Sequence, residues 1–282
     1  FVSSVKEIWK LSDPSCLAQC GLSLLEASIP LKHRTPEGPI YRIARGSNPW
    51  AFPDWSKVTI DSYGARTFGS RFDDPAGEYR VLYASSQVLS CYVETLARFR
   101  PDYLLKAELA AIKGEDDFQP IGYVSLDWFE NRYVGRARAK GRYADIYTAE
   151  WVSQLRPQLQ PECRNLGMPE FDLTVLMQAQ RRIITQMASN YINELGSFSG
   201  IYYASRYGND LENWALFESK AVFYPSADVS HVSAIDPMFL GALEILQLQL
   251  PEASEQEVPR AKLKPGFAWV VSLKKLITGK AE

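Results

Sequence analysis

The sequence predicts an α+β fold in which helices flank a mixed central β-sheet. Short segments with the alternating apolar pattern of strands are spread along most of the chain. Other segments repeat apolar residues with the 3.6-residue period of an amphipathic helix. Because the two kinds of segment interleave without strict βαβ order, a mixed sheet is favoured over a doubly wound parallel one.

Strands are predicted where short apolar or alternating runs are bounded by turn-forming residues. In one such run, Val81 and Tyr83 face one way while Leu82 and Ala84 face the other. The predicted strands are 40–45, 79–84, 103–109, 121–126, 200–204, 214–223 and 268–273.

Helices are predicted from apolar periodicity and from their end signals. Ser85 or Ser86 is expected to N-cap a helix that stops at Pro101. A second helix, 144–155, is expected to end before Pro157, because proline lacks the N–H that a helix interior needs. The other predicted helices lie within 3–31, 172–196 and 237–249.

These elements predict three parts of one chain. Residues 1–39 form an N-terminal helical extension. Residues 40–225 form the main domain, with a helical insertion around 131–193. Residues 226–282 supply a helix and a strand that pack on the same domain.

Composition excludes several classes of protein. The 31 Lys and Arg against 33 Asp and Glu give a charge of -2, which argues against direct nucleic-acid binding. The longest apolar run, at 267–271, is far too short for a membrane helix, so no membrane partner is expected. The two histidines and four cysteines show no metal-ligand spacing, so no metal site is expected. The isolated cysteines are typical of buried reduced thiols in a cytoplasmic protein.

Four side chains are candidates for chemistry, since the familiar nucleotide and hydrolase motifs are absent. Arg71 precedes a tight turn, and Tyr83 ends a strand. Glu94 lies at the edge of the apolar face of the following helix, where a carboxylate needs a partner. Ser205 follows a strand. From the residue pattern alone, Glu94 also reads as a surface glutamate and Ser205 as a turn former.

The succession of motifs resembles the RES domain family, which is named for its Arg, Glu and Ser. The resemblance spans residues 40–223 and is carried by five segments in order: Tyr41-Arg42-Ile43, Gly69-Ser70-Arg71-Phe72, Val81-Leu82-Tyr83-Ala84-Ser85, Val93-Glu94-Thr95-Leu96 and Gly200-Ile201-Tyr202-Tyr203-Ala204-Ser205, with 213–217 after it. The resemblance implies a fold like that of ADP-ribosyltransferase toxins. It also implies an NAD-degrading toxin that is paired with an Xre-type antitoxin.

Carried over by motif, the resemblance implies that Glu94, Arg71 and Tyr83 are catalytic and that Arg42 and Ser205 bind substrate. A carboxylate suits the oxocarbenium-like state of nicotinamide–ribose cleavage, and guanidinium groups suit a pyrophosphate. Tyr83 is expected to stack on nicotinamide. NAD is then a consumed substrate, and no cofactor is expected. In compact members of the family the serine follows the glutamate more closely. The extra residues between Glu94 and Ser205 in this chain include the basic run Arg132, Arg136, Arg138, Lys140 and Arg142. That run is interpreted as a solvated face or loop, with a lid or a partner-binding segment as alternatives.

Several alternatives stay open at this stage. NAD cleavage by a glycohydrolase or a phosphorylase cannot be separated by sequence. The chain is alternatively an ADP-ribosyltransferase that modifies a macromolecule, or a degenerate RES fold that serves as a binding module. Its aromatic content, 12%, also leaves a homodimer open.

Overall fold

The computed structural model describes residues 30–54, 70–100, 122–178 and 182–251. Apart from residues 30 and 31, they belong to the unit Lys32–Glu282. The predicted helices within 3–31 and the predicted strands 103–109 and 268–273 lie outside the described residues.

The described residues form eight strands and five α-helices, so the predicted α+β class is confirmed. The strands are β1 (His33–Arg34), β2 (Pro39–Arg45), β3 (Val81–Ser85), β4 (Arg132–Lys140), β5 (Tyr143–Asp145), β6 (Gly200–Ser205), β7 (Gly208–Phe217) and β8 (Val222–His231). The helices are α1 (Val88–Leu96), α2 (Ala149–Asn165), α3 (Leu173–Gln178), α4 (Arg182–Glu194) and α5 (Pro237–Leu246), with 3₁₀ turns at Ala97–Phe99 and Leu126–Phe129.

All eight strands form one sheet in the order β1-β5-β6-β7-β3-β2-β4-β8. The sheet is mixed because β5 and β6 run parallel while the other paired strands run antiparallel. Tyr83 pairs with Ala215, and Asn213 pairs with both Ser85 and Tyr203. Since paired residues point to the same face, the central strands present these side chains together.

Both faces of the sheet are packed. On the face that carries Tyr83, α1 and α5 bury a cluster in which the rings of Tyr92, Trp128 and Phe239 contact one another. On the other face, Trp50 and Trp214 pack with apolar residues of the central strands. Helix α1 is therefore packed against the face of the sheet that carries Tyr83.

Strand β4 contains four of the five basic residues of the run at 132–142, so most of the run is in a strand rather than a loop, and part of it is the predicted solvated face. Arg136 and Arg138 are exposed, while the alternate positions face the core. Those alternate residues are small because Trp50 packs against them, and a Cβ at Gly135 would lie 2.7 Å from Trp50 Nε1. The helical insertion predicted over 131–193 thus begins with two strands, and its helices start at Ala149.

The predicted end of a helix at Pro157 is wrong, because α2 continues through Pro157 and Pro161 to Asn165. Both prolines are exposed, so the carbonyls that they leave unpaired are on the solvent side. The opposite side buries residues at a spacing of four, which stabilises the helix by tertiary packing. Those residues are Trp151, Leu155, Leu159 and Cys163.

Within the helix predicted over 172–196, the structure describes α3 and α4, and residues 179–181 between them lie outside the described residues. Two other local predictions are corrected. The strand predicted over 121–126 gives way to the 3₁₀ turn Leu126–Phe129. The N-cap of α1 is Gln87, without a side-chain capping bond, because Ser85 and Ser86 hydrogen-bond to Asn213 and Trp214 instead.

Gly200, at the start of β6, is expected to tolerate no side chain. A Cβ there would overlap the Ala215 carbonyl oxygen and approach Tyr143 Cδ1 to 3.0 Å. We expect Gly200→Ala to lower the free energy of unfolding by about 2–3 kcal/mol, measured by denaturant titration. Gly38→Ala is the control, since a Cβ at Gly38 meets nothing within 4 Å. Equal stability of the two variants would show that the close approach of β7 to Gly200 does not restrict this position.

Candidate active site

The Arg71 segment is held in place by helix α4. Thr185 Oγ1 donates a hydrogen bond of 2.5 Å to the Arg71 carbonyl, and Ser189 Oγ donates one of 2.8 Å to the Phe72 carbonyl. Gln186 Nε2 donates to the Ser70 carbonyl at 3.1 Å. The carbonyl groups of an exposed loop usually bind water. Here three side chains of one helix donate to three successive carbonyls and so hold the backbone of this loop in place. The helical segment between the predicted Glu and Ser motifs therefore positions the predicted arginine.

The Arg71 guanidinium lies among aromatic rings. Its Nη2 donates to the Tyr147 hydroxyl at 2.8 Å and also to the Leu176 carbonyl. Its central carbon is 5.4 Å from the ring centroid of Tyr203 and 5.9 Å from that of Tyr147. Arg71 Nε is buried and has no hydrogen-bond partner among the described residues. The group thus combines a permanent positive charge with cation–π contacts and a free donor.

Tyr83 is tied to the same loop by its hydroxyl. That hydroxyl donates to Asp73 Oδ1 and accepts from the Phe72 amide, each at 2.8 Å. Burial, followed by the neighbouring Asp73 charge, raises the pKa of Tyr83, so the phenol stays protonated. Tyr83 therefore holds the turn after Arg71 in place. Its expected stacking on nicotinamide stays a prediction.

Glu94 lies on the exposed side of α1, and Asn213 Nδ2 donates to its Oε1 at 3.4 Å. Its charge also acts on the rings of Tyr203, which is buried, and Tyr147, which is partly exposed. The pKa of Tyr203 is raised mainly by burial and next by the charge of Glu94, while the charge of Arg71 lowers it. The pKa of Tyr147 is also raised mainly by burial. Arg71 lowers that pKa, and the charge of Glu94 raises it further. The two tyrosines thus lie within the fields of both Glu94 and Arg71.

Arg42 occupies a different position, between diverging strands. β2 and β3 pair only through Tyr41 and Ser85, and beyond that pair Arg42 donates to two carbonyls. Its Nε contacts the Pro49 oxygen at 2.8 Å and its Nη1 the Tyr83 oxygen at 2.6 Å. Burial lowers the pKa of Arg42, while the nearby Cys91 and Tyr83 oppose that shift. These contacts use two of the five donors of the guanidinium for structure.

Ser205 lies at the end of β6, next to an irregularity in its pairing with β7. Its side chain is buried, and its hydroxyl accepts from the Tyr207 amide at 3.2 Å. That contact stabilises the hairpin turn between the two strands. Among the described residues, no hydrogen bond joins Ser205 to Arg71, Tyr83 or Glu94.

The structure therefore brings Arg71, Tyr83 and Glu94 together around Tyr203, and it adds Tyr147. Sequence reasoning gave Tyr147 and Tyr203 no role. Tyr203 lies within a motif of the resemblance, but in the sequence it cannot be distinguished from the core residues of the same strand. Tyr147 lies outside every motif of the resemblance. Nor was Asn213 predicted as a site residue, although it opens segment 213–217, the last one in the resemblance.

A cleft of about 420 Å³ opens beside Tyr147. The other lining residues are Ala149, Val152, Ser153, Arg156 and Leu173. Arg156 forms an exposed ion pair with Glu170, with 3.2 Å between Nη2 and Oε1. The volume lies in the range of small-molecule sites, and the shared Tyr147 joins the cleft to the Arg71 environment.

The described ranges contain neither a metal-binding cluster nor a helix that could span a membrane. No group of three or more His, Cys, Asp or Glu residues is arranged to hold a metal ion. None of the helices in those ranges combines the length and the apolar character needed to cross a membrane.

One comparison with known proteins identifies the family of this chain. A search of curated proteins found no match. A chain in the crystal structure of the M. tuberculosis MbcT-MbcA toxin-antitoxin complex is similar at 13% sequence identity and a TM-score of 0.41, with 77% of this chain and 91% of that chain covered. The RES domain matches residues 39–235, which is more than half of the chain. With its Arg71, Glu94 and Ser205 motifs inside that match, the chain belongs to the RES domain family.

Proposed function

We propose that this chain cleaves the nicotinamide–ribose bond of NAD and thereby acts as an NAD-depleting toxin. The observation that carries the proposal is the exposed Glu94 carboxylate, with Tyr203 and Tyr147 in the electrostatic fields of both Glu94 and Arg71. Membership of the RES domain family supports it. The sequence resemblance adds the expectation of an Xre-type antitoxin as partner and of action in the cytoplasm, where the NAD pool would be drained.

In this mechanism the carbon–nitrogen bond of the ribosyl nicotinamide breaks, and nicotinamide leaves as a neutral base with the bonding electron pair. Positive charge then develops on the ribose, and Glu94 stabilises it electrostatically and accepts hydrogen bonds from the ribose hydroxyls. Water captures the ribosyl cation and releases a proton, or phosphate captures it in phosphorolysis. No proton has to reach the leaving group, which suits a site without histidine.

The other residues bind and orient the dinucleotide. Arg71 has a free Nε and aromatic neighbours, and we assign it to the pyrophosphate. Tyr147 and Tyr203 supply aromatic walls, which attract a cationic nicotinamide ring. Arg42 and Ser205 support the site through the backbone contacts described above.

The test is product identification with the purified chain. NAD is incubated with and without phosphate, and the products are separated by chromatography. We expect free nicotinamide in stoichiometric yield, with ADP-ribose as the second product of hydrolysis or its phosphorylated form as the product of phosphorolysis. NAD labelled in the adenylate half, offered with protein and nucleic acid, tests transfer to a macromolecule. Bound NAD without turnover would overturn the proposal in favour of a binding module.

A further inference from the structure

Asn213 of β7 is a buried amide whose hydrogen-bonding capacity is fully used. Only 1% of the residue is exposed. Its Oδ1 accepts from Ser85 Oγ at 2.5 Å and from Ser90 Oγ at 2.9 Å. Its Nδ2 donates to the Leu211 carbonyl and to Glu94 Oε1, each at 3.4 Å. Two accepted and two donated bonds satisfy every lone pair and proton of the side-chain amide.

The surroundings permit only one orientation of this amide. The Leu211 carbonyl and the Glu94 carboxylate are acceptors only, so the NH₂ group has to face them. The two serine hydroxyls rotate to donate to the oxygen on the other side. Because Ser85 belongs to β3 and Ser90 to α1, the amide is anchored to both the sheet and the helix.

Glu94 has few other partners. Its hydrogen bond from Asn213 is the only side-chain hydrogen bond that it makes among the described residues. The charged group nearest to this part of the site is Arg71, whose guanidinium lies against the rings of Tyr147 and Tyr203. The titratable groups on which the Glu94 charge acts are Cys91 of its own helix and Tyr147 and Tyr203 of neighbouring elements. Burial raises the pKa of Cys91, to about 12, and of both tyrosines, so these three groups are neutral near pH 7.

We infer that Asn213 is a positioning residue that holds the Glu94 carboxylate, through its Nδ2–H, in the orientation needed to face the ribose. The inference rests on the proposed NAD cleavage. It assigns Asn213 no contact with substrate. The hydrogen bond from Asn213 restricts the orientations of the Glu94 carboxylate, which lies on the exposed side of its helix. Even a small loss of this preorganisation lowers the rate of the chemical step.

Asn213→Asp tests this role because the shape is kept while the donor becomes an acceptor. The new carboxylate faces Glu94 and disfavours its ionised form. We expect kcat for nicotinamide release to fall about tenfold, with KM for NAD within about twofold of wild type. We also expect the acid limb of the kcat profile to move to higher pH, because a second carboxylate next to Glu94 repels its negative charge. A purely structural role would lower activity with the folded fraction and leave the pH profile in place.

Asn190→Asp is the matched control. Asn190 Nδ2 donates to Glu194 Oε1 at 2.9 Å on the exposed side of α4, so the same change is made beside another glutamate. We expect its kcat and pH profile to equal those of wild type. If Asn213→Asp does not fold, Ser90→Ala replaces it, since it removes one of the two donors that orient the amide. We expect Ser90→Ala to lower kcat about threefold at unchanged KM, and an unchanged kcat in a folded variant would overturn the inference.

A direct measurement separates this inference from the proposed function. The side-chain carboxyl ¹³C signal of Glu94 is titrated in wild type and in Asn213→Asp, assigned by its loss in Glu94→Gln. A higher midpoint pH in Asn213→Asp supports the contact, and coincident curves overturn the positioning role. Wild-type protein that releases no nicotinamide overturns the proposed function, but this titration still decides whether Asn213 controls Glu94.

Discussion

Replacing Glu94 by glutamine is expected to reduce nicotinamide release from NAD by about 10³-fold. Glutamine is isosteric and still accepts the hydrogen bond from Asn213, but it lacks the negative charge that stabilises the developing cation. Because Glu94 is exposed and makes one long hydrogen bond, the midpoint of thermal unfolding should change little. Release is measured by chromatography at saturating NAD, in parallel with the unfolding curve.

The control for this variant is Glu244→Gln, which removes the same charge from the exposed side of α5. Its rate should equal that of wild type. A Glu94→Gln protein that keeps more than about a tenth of wild-type activity would contradict the electrostatic role, since loss of one such group costs at least about 10²-fold in comparable sites. If Glu94→Gln loses both activity and folding, the lost activity arises from a destabilised α1 and not from the missing charge.

The second large effect is expected for Arg71→Lys, at about 10²-fold in kcat/KM for NAD. Lysine keeps the charge, but it cannot present parallel N–H donors to a pyrophosphate. Its single nitrogen also cannot occupy the positions of both Nη2, which donates to Tyr147 and to the Leu176 carbonyl, and the unpartnered Nε. Most of the loss should appear in KM, because a phosphate contact is present before and during the bond cleavage. Steady-state kinetics over a wide range of NAD concentrations measure how the loss divides between KM and kcat.

Arg80→Lys is the matched control for Arg71→Lys. Arg80 donates to Glu218 through two of its nitrogens, so the substitution also removes a forked ion pair, but one outside the candidate site. Its kcat/KM should stay within about twofold of wild type, since such partly exposed pairs contribute little stability. A wild-type KM in Arg71→Lys would show that Arg71 does not bind the pyrophosphate.

Much of the fold was predictable because its strands have local signals. The alternation over β3 and the apolar run at β6 lie close to their predicted positions. Strand β4 was missed although it alternates, because its inward residues are Gly135, Ala137 and Ala139 and carry little hydrophobic signal. Those small residues make room for Trp50, which comes from a distant loop. A helix through two prolines was missed for a similar reason, since tertiary packing outweighs the local rule.

Five short motifs in order, from Tyr41-Arg42-Ile43 to the segment that ends at Ser205, carried the RES resemblance, and the family match confirms it. Helices after Glu94 were also predicted, but their effect on the site was not. Residues of α4 hold the Arg71 loop across 114 to 117 positions of sequence. A sequence pattern reports neighbours within about one turn or strand, so such contacts leave no local trace.

By itself, the sequence determined the α+β class, the family and the residue types available for chemistry, because these depend on local periodicity and on short motifs. The tertiary structure decided which of those residues meet. It joined Arg71 to Tyr147 across 76 positions and Glu94 to Asn213 across 119. It also directed Arg42 and Ser205 to backbone groups. The physical reason is that hydrogen-bond partners and burial arise only when distant elements pack, and these contacts orient a guanidinium or a carboxylate for a substrate.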